Sequence, residues 1–200
     1  MDLPEILAIM IGLLLGITVH EAAHAYTAFR LGDRTAFGGG RITLNPLKHI
    51  DPLGTIILPL VLLLSHAPFL FGYARPVPVQ PRFFRDPRRG MALVAAAGPA
   101  ANLALALVCA LSGAALPMAE STLWLRGALE VIFTTNVVLA FFNILPIPPL
   151  DGSKVLAGFL PDRAAKSFLR LGRYRYLPLL LIFVGVPLTA WLIATVLRLR

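Results

Sequence analysis

The chain alternates between long apolar runs and short polar segments that are rich in proline, glycine or arginine. Four of the runs exceed the roughly 20 residues that a helix needs to cross a bilayer. They predict spanning helices at about residues 4–31, 90–116, 123–145 and 176–197. Residues 153–172 have the mixed pattern of an amphipathic helix. The sequence therefore predicts an all-α polytopic membrane protein built as a bundle of transmembrane helices.

Residues 51–73 are also apolar, but Pro59 and Ser65-His66-Ala67-Pro68 interrupt them, so each half is too short to span. Residues 30–48, 75–89 and 154–175 are rich in Lys and Arg, which favours the cytoplasmic side. All three can be cytoplasmic only if residues 51–73 cross an even number of times. This predicts a re-entrant hairpin that is broken near Ser65. One full span is the alternative, because the charge bias is a tendency and not a law.

The composition is typical of a membrane protein. Of the 200 residues, 58% are hydrophobic and 14% are charged, and the mean hydropathy is +0.79, which predicts one membrane domain over residues 1–200. The net charge of +8 lies mostly in arginines beside the apolar runs, where it sets topology and contacts the lipid bilayer. No module remains to bind nucleic acid. The single cysteine, Cys109, excludes a cysteine-rich zinc site, and the oligomeric state is unknown.

The first apolar run contains His20-Glu21-Ala22-Ala23-His24 near its end. Residues four apart share one face of a helix, so both imidazoles can bind one Zn²⁺ while Glu21 lies beside it as a general base. Ionisable groups at bilayer depth are costly, which favours a functional site. The alternative is a chance occurrence of this short motif, with its histidines bonded to backbone carbonyls.

A catalytic zinc needs a third protein ligand and an open position for water. Asp151 follows three prolines that end a spanning helix and leave irregular backbone, which must line protein or a wet cavity. A plain turn and helix cap is the alternative for Asp151. Glu130 lies in an apolar run, but Arg126 four residues earlier favours an ion pair. The other candidates lie in or beside connecting segments: Asp33, His49, Asp51, His66, Asp86 and Asp162.

Three motifs together resemble the site-2 protease family of intramembrane zinc metalloproteases. They are HEAAH at His20, the sequence Gly98-Pro99-Ala100-Ala101-Asn102, and the pattern N-x-x-P-x-P-x-L-D-G from Asn143 to Gly152. This resemblance implies that His20, His24 and Asp151 bind one zinc ion per chain and that Glu21 is the catalytic base. It also implies that Asn102, Asn143 and Pro146 help to position the substrate.

The resemblance covers residues 20–152 and implies a zinc metalloendopeptidase that performs regulated intramembrane proteolysis. Such an enzyme hydrolyses peptide bonds within or near transmembrane segments of membrane proteins. The chain is similar to a short form of the family, without room for a PDZ or a CBS domain. We expect a multi-pass protein of the cell membrane, with its active site toward the cytoplasmic side.

The glycine-rich residues 37–44 predict a small β element near the cytoplasmic side. A helical substrate must unwind before its carbonyls can be attacked, and the extended chain could then add to this element as a strand. A self-paired hairpin that only closes the cytoplasmic end is the alternative.

Two other functions compete with proteolysis. A zinc or proton-coupled membrane transporter would also place histidines and carboxylates at membrane depth. Transporters, however, often contain repeats of helix topology, and none is visible here. An inactive scaffold that binds membrane segments is the other alternative, although the intact Glu21 argues against it.

Overall fold

The structure of the chain, a computed structural model, describes residues 3–65 and 72–173. The α-helices in these ranges are α1 (Leu3–Arg30), α2 (Thr35–Gly38), α3 (Leu58–Leu64), α4 (Pro87–Ala115), α5 (Glu120–Ile144), α6 (Asp151–Phe159) and α7 (Asp162–Arg170). Helices α1, α4 and α5 are long and apolar enough to cross a membrane. They confirm three predicted spans within one or a few residues at each end. The fourth, at residues 176–197, lies outside the described residues.

The three long helices pack against one another, and α6 packs on α4. Small side chains lie buried along these helices, among them Ala25, Ala95 and Ala140. They let the helix backbones approach closely, as in membrane bundles, where lipid gives little hydrophobic driving force between helices. Large apolar side chains such as Leu111 and Phe141 point outward instead. This distribution suits a bundle whose outer surface contacts lipid.

Polar caps and prolines set the ends of the helices that carry the site. Asp86 caps α4 by accepting hydrogen bonds from the N–H groups of Arg88 and Arg89, and Pro87 occupies the first turn. Helix α5 ends at Ile144, two residues before Pro146. The amphipathic stretch predicted at residues 153–172 forms two helices, α6 and α7, because Pro161 interrupts it. Asp151 thereby becomes the first residue of α6.

The small β element predicted at residues 37–44 is wrong, since no strand occurs in the described ranges. Residues 35–38 form α2 instead. The N–H of Arg41 donates to the Ala36 carbonyl and that of Gly40 to the Phe37 carbonyl, both over 2.9 Å. This pair of bonds is a Schellman motif, and Gly40 has the φ of +63° that it requires. The glycines therefore end a helical turn.

Within residues 51–73, the described residues 51–57 and 72–73 lie close together. Asp51 caps a π-helical turn, Pro52–Ile57, which leads into α3. The N–H of Tyr73 donates to the Gly54 carbonyl over 3.0 Å, and the Thr55 hydroxyl donates to the Tyr73 carbonyl over 2.9 Å. The two ends of this stretch consequently lie side by side.

Candidate metal centre

Three buried side chains converge where α1 meets the start of α6. His20 and His24 lie one turn apart on α1, and Asp151 opens α6. The Nε2 atoms of both histidines lie 3.0 Å from the same carboxylate oxygen, Oδ2 of Asp151. The exposed fraction of each residue is below a tenth. The structure thus brings together the three predicted ligands, positioned to bind one metal ion.

The outer nitrogen of each imidazole has a protein partner. His20 Nδ1 lies 2.6 Å from Oδ1 of Asn102, and His24 Nδ1 lies 2.7 Å from the Val94 carbonyl. Both partners are carbonyl oxygens, which only accept hydrogen bonds, so each Nδ1 carries a proton and donates. In a neutral imidazole the lone pair is then on Nε2.

This donor set fits a zinc ion. Two imidazole nitrogens and a carboxylate oxygen face one another, and these are ligand types that zinc binds in proteins. A tetrahedral zinc with bonds of about 2.0 Å keeps its ligand atoms about 3.3 Å apart, close to the separations found here. Lys154 Nζ donates to the other oxygen of Asp151 over 2.8 Å, which leaves Oδ2 for the metal.

Glu21 lies beside this cluster without joining it. Its Oε2 accepts a hydrogen bond of 3.1 Å from the backbone N–H of Val77. Glu21 lines a cavity of about 350 Å³ together with both histidines, Asp151 and Asn143. A water or a peptide group can therefore reach the carboxylate and the three metal-binding atoms from one space.

Residues 72–80 are here called the strap, and six of them line this cavity: Gly72, Tyr73, Ala74, Pro76, Val77 and Val79. Pro76 and Pro78 hold the strap extended, because a residue before proline avoids helical angles. Four backbone N–H groups tie it to the rest of the chain: Tyr73 to the Gly54 carbonyl, Arg75 to the His49 carbonyl, Val77 to Glu21 and Gln80 to Asp33. The strap is therefore anchored on several elements.

Asp33 anchors the end of the strap. Its Oδ2 accepts a bond of 2.6 Å from the Gln80 N–H, and its Oδ1 accepts one of 2.9 Å from the Thr35 N–H. Burial raises the pKa of this carboxyl, but the hydrogen bonds to Gln80 and Thr35 outweigh burial, and the net pKa is below its ordinary value. Asp33 therefore stays ionised and holds the strap at neutral pH.

The three residues expected to position substrate lie in different surroundings. Asn143 lines the cavity, and its Nδ2 donates to the Leu139 carbonyl of its own helix over 2.9 Å. Asn102 is fully buried behind His20, and its Nδ2 donates to the Gly16 carbonyl and to Asn136. Pro146 is exposed at the end of α5 and is not among the residues that line the cavity.

The other candidate ligands lie away from the cluster. Glu130 is exposed, and the ion pair expected between it and Arg126 is not found in the described part of the chain. Arg126 instead donates to the Leu116 carbonyl over 2.6 Å, an unpaired acceptor at the end of α4. His49 is fully buried, and its Nε2 contacts the Thr43 carbonyl over 2.9 Å. His66 lies outside the described residues.

Sequence reasoning missed three groups that contact the site or the residues behind it. Asn136, a polar residue in an apolar run, could have been noticed by its cost at membrane depth. Lys154 could have been noticed by its spacing of three residues from Asp151 in a helix. No sequence pattern indicates that the backbone N–H of Val77 contacts Glu21, because this contact depends on how the strap packs against α1.

Comparisons with known proteins agree with this geometry. The family model described as "Peptidase family M50" matches residues 117–174. The Bacillus subtilis protein named "Putative zinc metalloprotease YwhC" is 38% identical over 191 residues, which cover 92% of this chain and 83% of that protein. The Mycolicibacterium smegmatis protein named "Putative zinc metalloprotease Rip2" is 31% identical over 185 residues, covering 92% and 69% of the respective chains.

A third relative, the Mycobacterium tuberculosis (strain H37Rv) protein that bears the same Rip2 name, is 32% identical over 190 residues, which cover 94% of this chain and 71% of that protein. No solved structure matches the chain significantly. Three membrane-length apolar helices and a site for one zinc ion accompany these similarities. The chain belongs to peptidase family M50, the site-2 protease family of membrane zinc metalloproteases.

Proposed function

We propose that this protein is a zinc metalloendopeptidase that hydrolyses peptide bonds within or near transmembrane segments of membrane proteins, in regulated intramembrane proteolysis. The observation that carries the proposal is the meeting of His20, His24 and Asp151 beside Glu21, near the end of a helix apolar enough to span a bilayer. Proteolysis needs both a metal and a general base, and one cavity reaches both.

His20, His24 and Asp151 would hold the zinc ion, which when bound lowers the pKa of a coordinated water to about 7 and polarises a carbonyl. Glu21 then acts as the general base. Its Oε2 is held by Val77, so Oε1 is the oxygen that takes the proton from the attacking water. The same oxygen returns the proton to the leaving amine as the peptide bond breaks.

The strap offers an edge for an unwound substrate. Tyr73, Arg75 and Val77 direct their backbone groups into the protein: two carbonyls accept from Thr55 and Arg41, and the three N–H groups donate. In an extended chain the alternate residues face the other way. The outward groups are therefore the N–H of Ala74 and the carbonyls of Ala74, Pro76 and Pro78. None of them has a hydrogen-bond partner within the described ranges.

This edge replaces residues 37–44 as the place where a substrate adds as a strand. Ala74 and Pro76 line the cavity that also contains Glu21, so a strand bound there lies beside the reacting groups. Asn143 faces the same cavity with its amide oxygen unpartnered in the part of the chain that the structure describes, and this oxygen can accept an N–H from the substrate. Pro146 would contribute to substrate binding by ending α5 just after Asn143. Asn102 would contribute indirectly, through its hydrogen bond to His20.

The proposed topology is multi-pass in the cell membrane, with the site toward the cytoplasm. The Tyr73–Gly54 bond supports a re-entrant path for residues 51–73, since the two ends lie side by side. With that path, the basic segments around Arg41, Arg85 and Arg163 all lie on one side, as the positive-inside bias favours. The outward apolar faces of the long helices would contact lipid, and a transmembrane protein substrate would enter between them.

Glu21→Gln tests the proposal. The purified protein and the variant are compared for zinc content and for cleavage of a helical membrane substrate in proteoliposomes. We expect the variant to keep one zinc per chain and to lose cleavage, because a neutral amide cannot accept the proton. Cleavage near the wild-type rate would remove Glu21 from the reaction.

The same proteoliposomes separate the rival functions. Zinc flux that persists in Glu21→Gln would favour a transporter. A wild-type protein that binds the substrate without cleaving it would favour an inactive scaffold. Asp151→Ala is the control for the metal site, and we expect its zinc content to fall sharply. Full zinc stoichiometry in that variant would remove Asp151 from the ligand set.

A further inference from the structure

We propose that Asn136 of α5 is a positioning residue for the metal centre, acting through Asn102 on the orientation of His20. Asn136 touches neither the metal-binding atoms nor the cavity. The inference rests on the zinc site of the proposed function, and not on proteolysis itself. Its test can therefore fail or succeed whether or not the protein cleaves a substrate.

A continuous line of hydrogen bonds links Asn136 to His20. Asn136 Nδ2 donates to the Ile132 carbonyl over 2.8 Å, and Asn136 Oδ1 accepts from Asn102 Nδ2 over 2.9 Å. Asn102 Oδ1 in turn accepts from His20 Nδ1 over 2.6 Å. Both asparagines are fully buried. The line crosses three helices, from α5 through α4 to α1.

The direction of every bond in this line is fixed by backbone carbonyls, which accept and cannot donate. The Ile132 carbonyl requires the NH₂ of Asn136, so Asn136 presents its oxygen to Asn102. The Gly16 carbonyl, 3.0 Å from Asn102 Nδ2, requires the NH₂ of Asn102 on the same side. Asn102 is left with its oxygen toward His20. His20 must then carry its proton on Nδ1 and present Nε2 to the metal site.

The packing of α1 against α5 reserves space for this arrangement. A Cβ atom added to Gly16 would lie 2.8 Å from Oδ1 of Asn136 and 2.6 Å from Cδ1 of Leu139. Real Cβ atoms do not approach so closely, so a larger residue at position 16 requires Asn136 Oδ1 and Leu139 Cδ1 to shift, and we expect the shift to disturb the bond to Asn102. The carbonyl of Gly16 is one acceptor for Asn102. Because Gly16 has no side chain, it also leaves room for the other acceptor, Asn136 Oδ1.

A purely structural role for Asn136, holding helices together, makes a different prediction. Hydrogen bonds between helices stabilise membrane bundles, so in that role the loss of Asn136 would lower stability and leave metal affinity unchanged. A positioning role lowers metal affinity, because without the Asn136 oxygen only the Gly16 carbonyl still holds the Asn102 NH₂, and the Asn102 oxygen is oriented less firmly toward His20. Metal affinity is thus the measurement that separates the two roles.

The experiment uses the full chain in detergent and measures zinc affinity by competition with a chromophoric chelator. Asn136→Leu keeps the branched shape of the side chain and lacks the acceptor, whereas Asn136→Asp keeps an oxygen for Asn102. Thr134→Ala is the control on an exposed face of the same helix. We expect zinc affinity to fall about tenfold in Asn136→Leu, as for other groups that orient metal ligands. We expect the zinc affinities of Asn136→Asp and Thr134→Ala to stay within about threefold of the wild-type value.

Two further measurements keep the test decisive if Asn136→Leu folds poorly. Gly16→Ala retains both asparagines, and we expect it to weaken zinc binding, as Asn136→Leu does. The absorption spectrum of Co²⁺, substituted for zinc, should change in Gly16→Ala and remain native in Asn136→Asp, because it reports ligand geometry. Wild-type zinc affinity in Asn136→Leu or Gly16→Ala, or equal losses in Asn136→Leu and Asn136→Asp, would overturn the inference.

Discussion

The backbone N–H of Val77 donates to Oε2 of Glu21 over 3.1 Å, which joins the strap directly to the expected base. The bond uses one of the two carboxylate oxygens of a side chain that lines the cavity. A carboxylate with a single fixed donor has a defined orientation, and a fixed orientation lets a general base meet its proton at hydrogen-bond distance.

Val77→Pro removes this donor at a position that already has a proline on each side, Pro76 and Pro78, and the residue before Pro78 is already restricted to extended angles. We expect cleavage to fall at least about tenfold, the value of a hydrogen bond to a charged group, with zinc content unchanged. Val77→Ala, which keeps the N–H, should cleave at a rate close to wild type. Equal activities of the proline and alanine variants would show that the bond is dispensable.

Ala74→Pro tests the proposed substrate edge of the strap. Ala74 carries the one outward N–H among residues 74, 76 and 78, since the other two are prolines. We expect the variant to raise the KM for an extended peptide substrate several-fold, in line with a lost hydrogen bond of about 1 kcal/mol. Zinc content and melting temperature should stay native. Ala74→Ser keeps the N–H and serves as the control, and a KM unchanged in Ala74→Pro would move the substrate elsewhere.

Asn143→Ala distinguishes substrate binding from helix capping. The Asn143 amide nitrogen bonds to the Leu139 carbonyl, an acceptor within its own helix, so little stability depends on it. We expect cleavage of a helical membrane substrate to fall strongly while zinc content and melting temperature remain close to native. Asn143→Asp, which retains an acceptor oxygen, should keep more activity. A melting temperature that falls in step with activity would assign Asn143 a structural role.

Cysteine labelling tests the re-entrant path of residues 51–73. Arg41 is only 7% exposed, so the neighbouring Leu47, which is 78% exposed, is the better reporter for its segment. Leu47→Cys and Arg85→Cys, each in a Cys109→Ala background, should react with an impermeant reagent from the same, cytoplasmic side. Labelling from opposite sides would make residues 51–73 a full span.

The long helices and most of the metal site could be predicted from the sequence. Hydropathy alone placed α1, α4 and α5, since lipid admits few other structures for runs of that length. The spacing of His20 and His24 implied a shared face, and Asp151 followed from the helix break at Pro146 and from the family motif. These signals are local in sequence, which is why they could be recognised.

The remaining features depend on contacts between distant residues. The Gly38-Gly39-Gly40 run suits a loop, a strand edge or a helix cap, and only the closing bonds from Arg41 and Gly40 to α2 decide among them. Arg126 and Glu130 have ion-pair spacing, yet Arg126 donates to the Leu116 carbonyl at the end of α4, a contact that the spacing within α5 does not reveal. Asn136 and Val77 reach the site only through the packing of other elements.

The sequence separation of the metal-binding residues bears on how the protein is made. His20 and Asp151 are 131 residues apart, so α1 enters the membrane long before the ribosome adds the third member of the cluster. A partly synthesised chain therefore carries two histidines and a glutamate without the carboxylate that completes the set. The bound ion would also close a loop that is worth about 5 kcal/mol in a flexible chain, and less where helices are already held by lipid. A chain that ends before α6 consequently lacks both the complete site and this cross-link, so the three-ligand site can form only after α1, α4 and α5 have been synthesised.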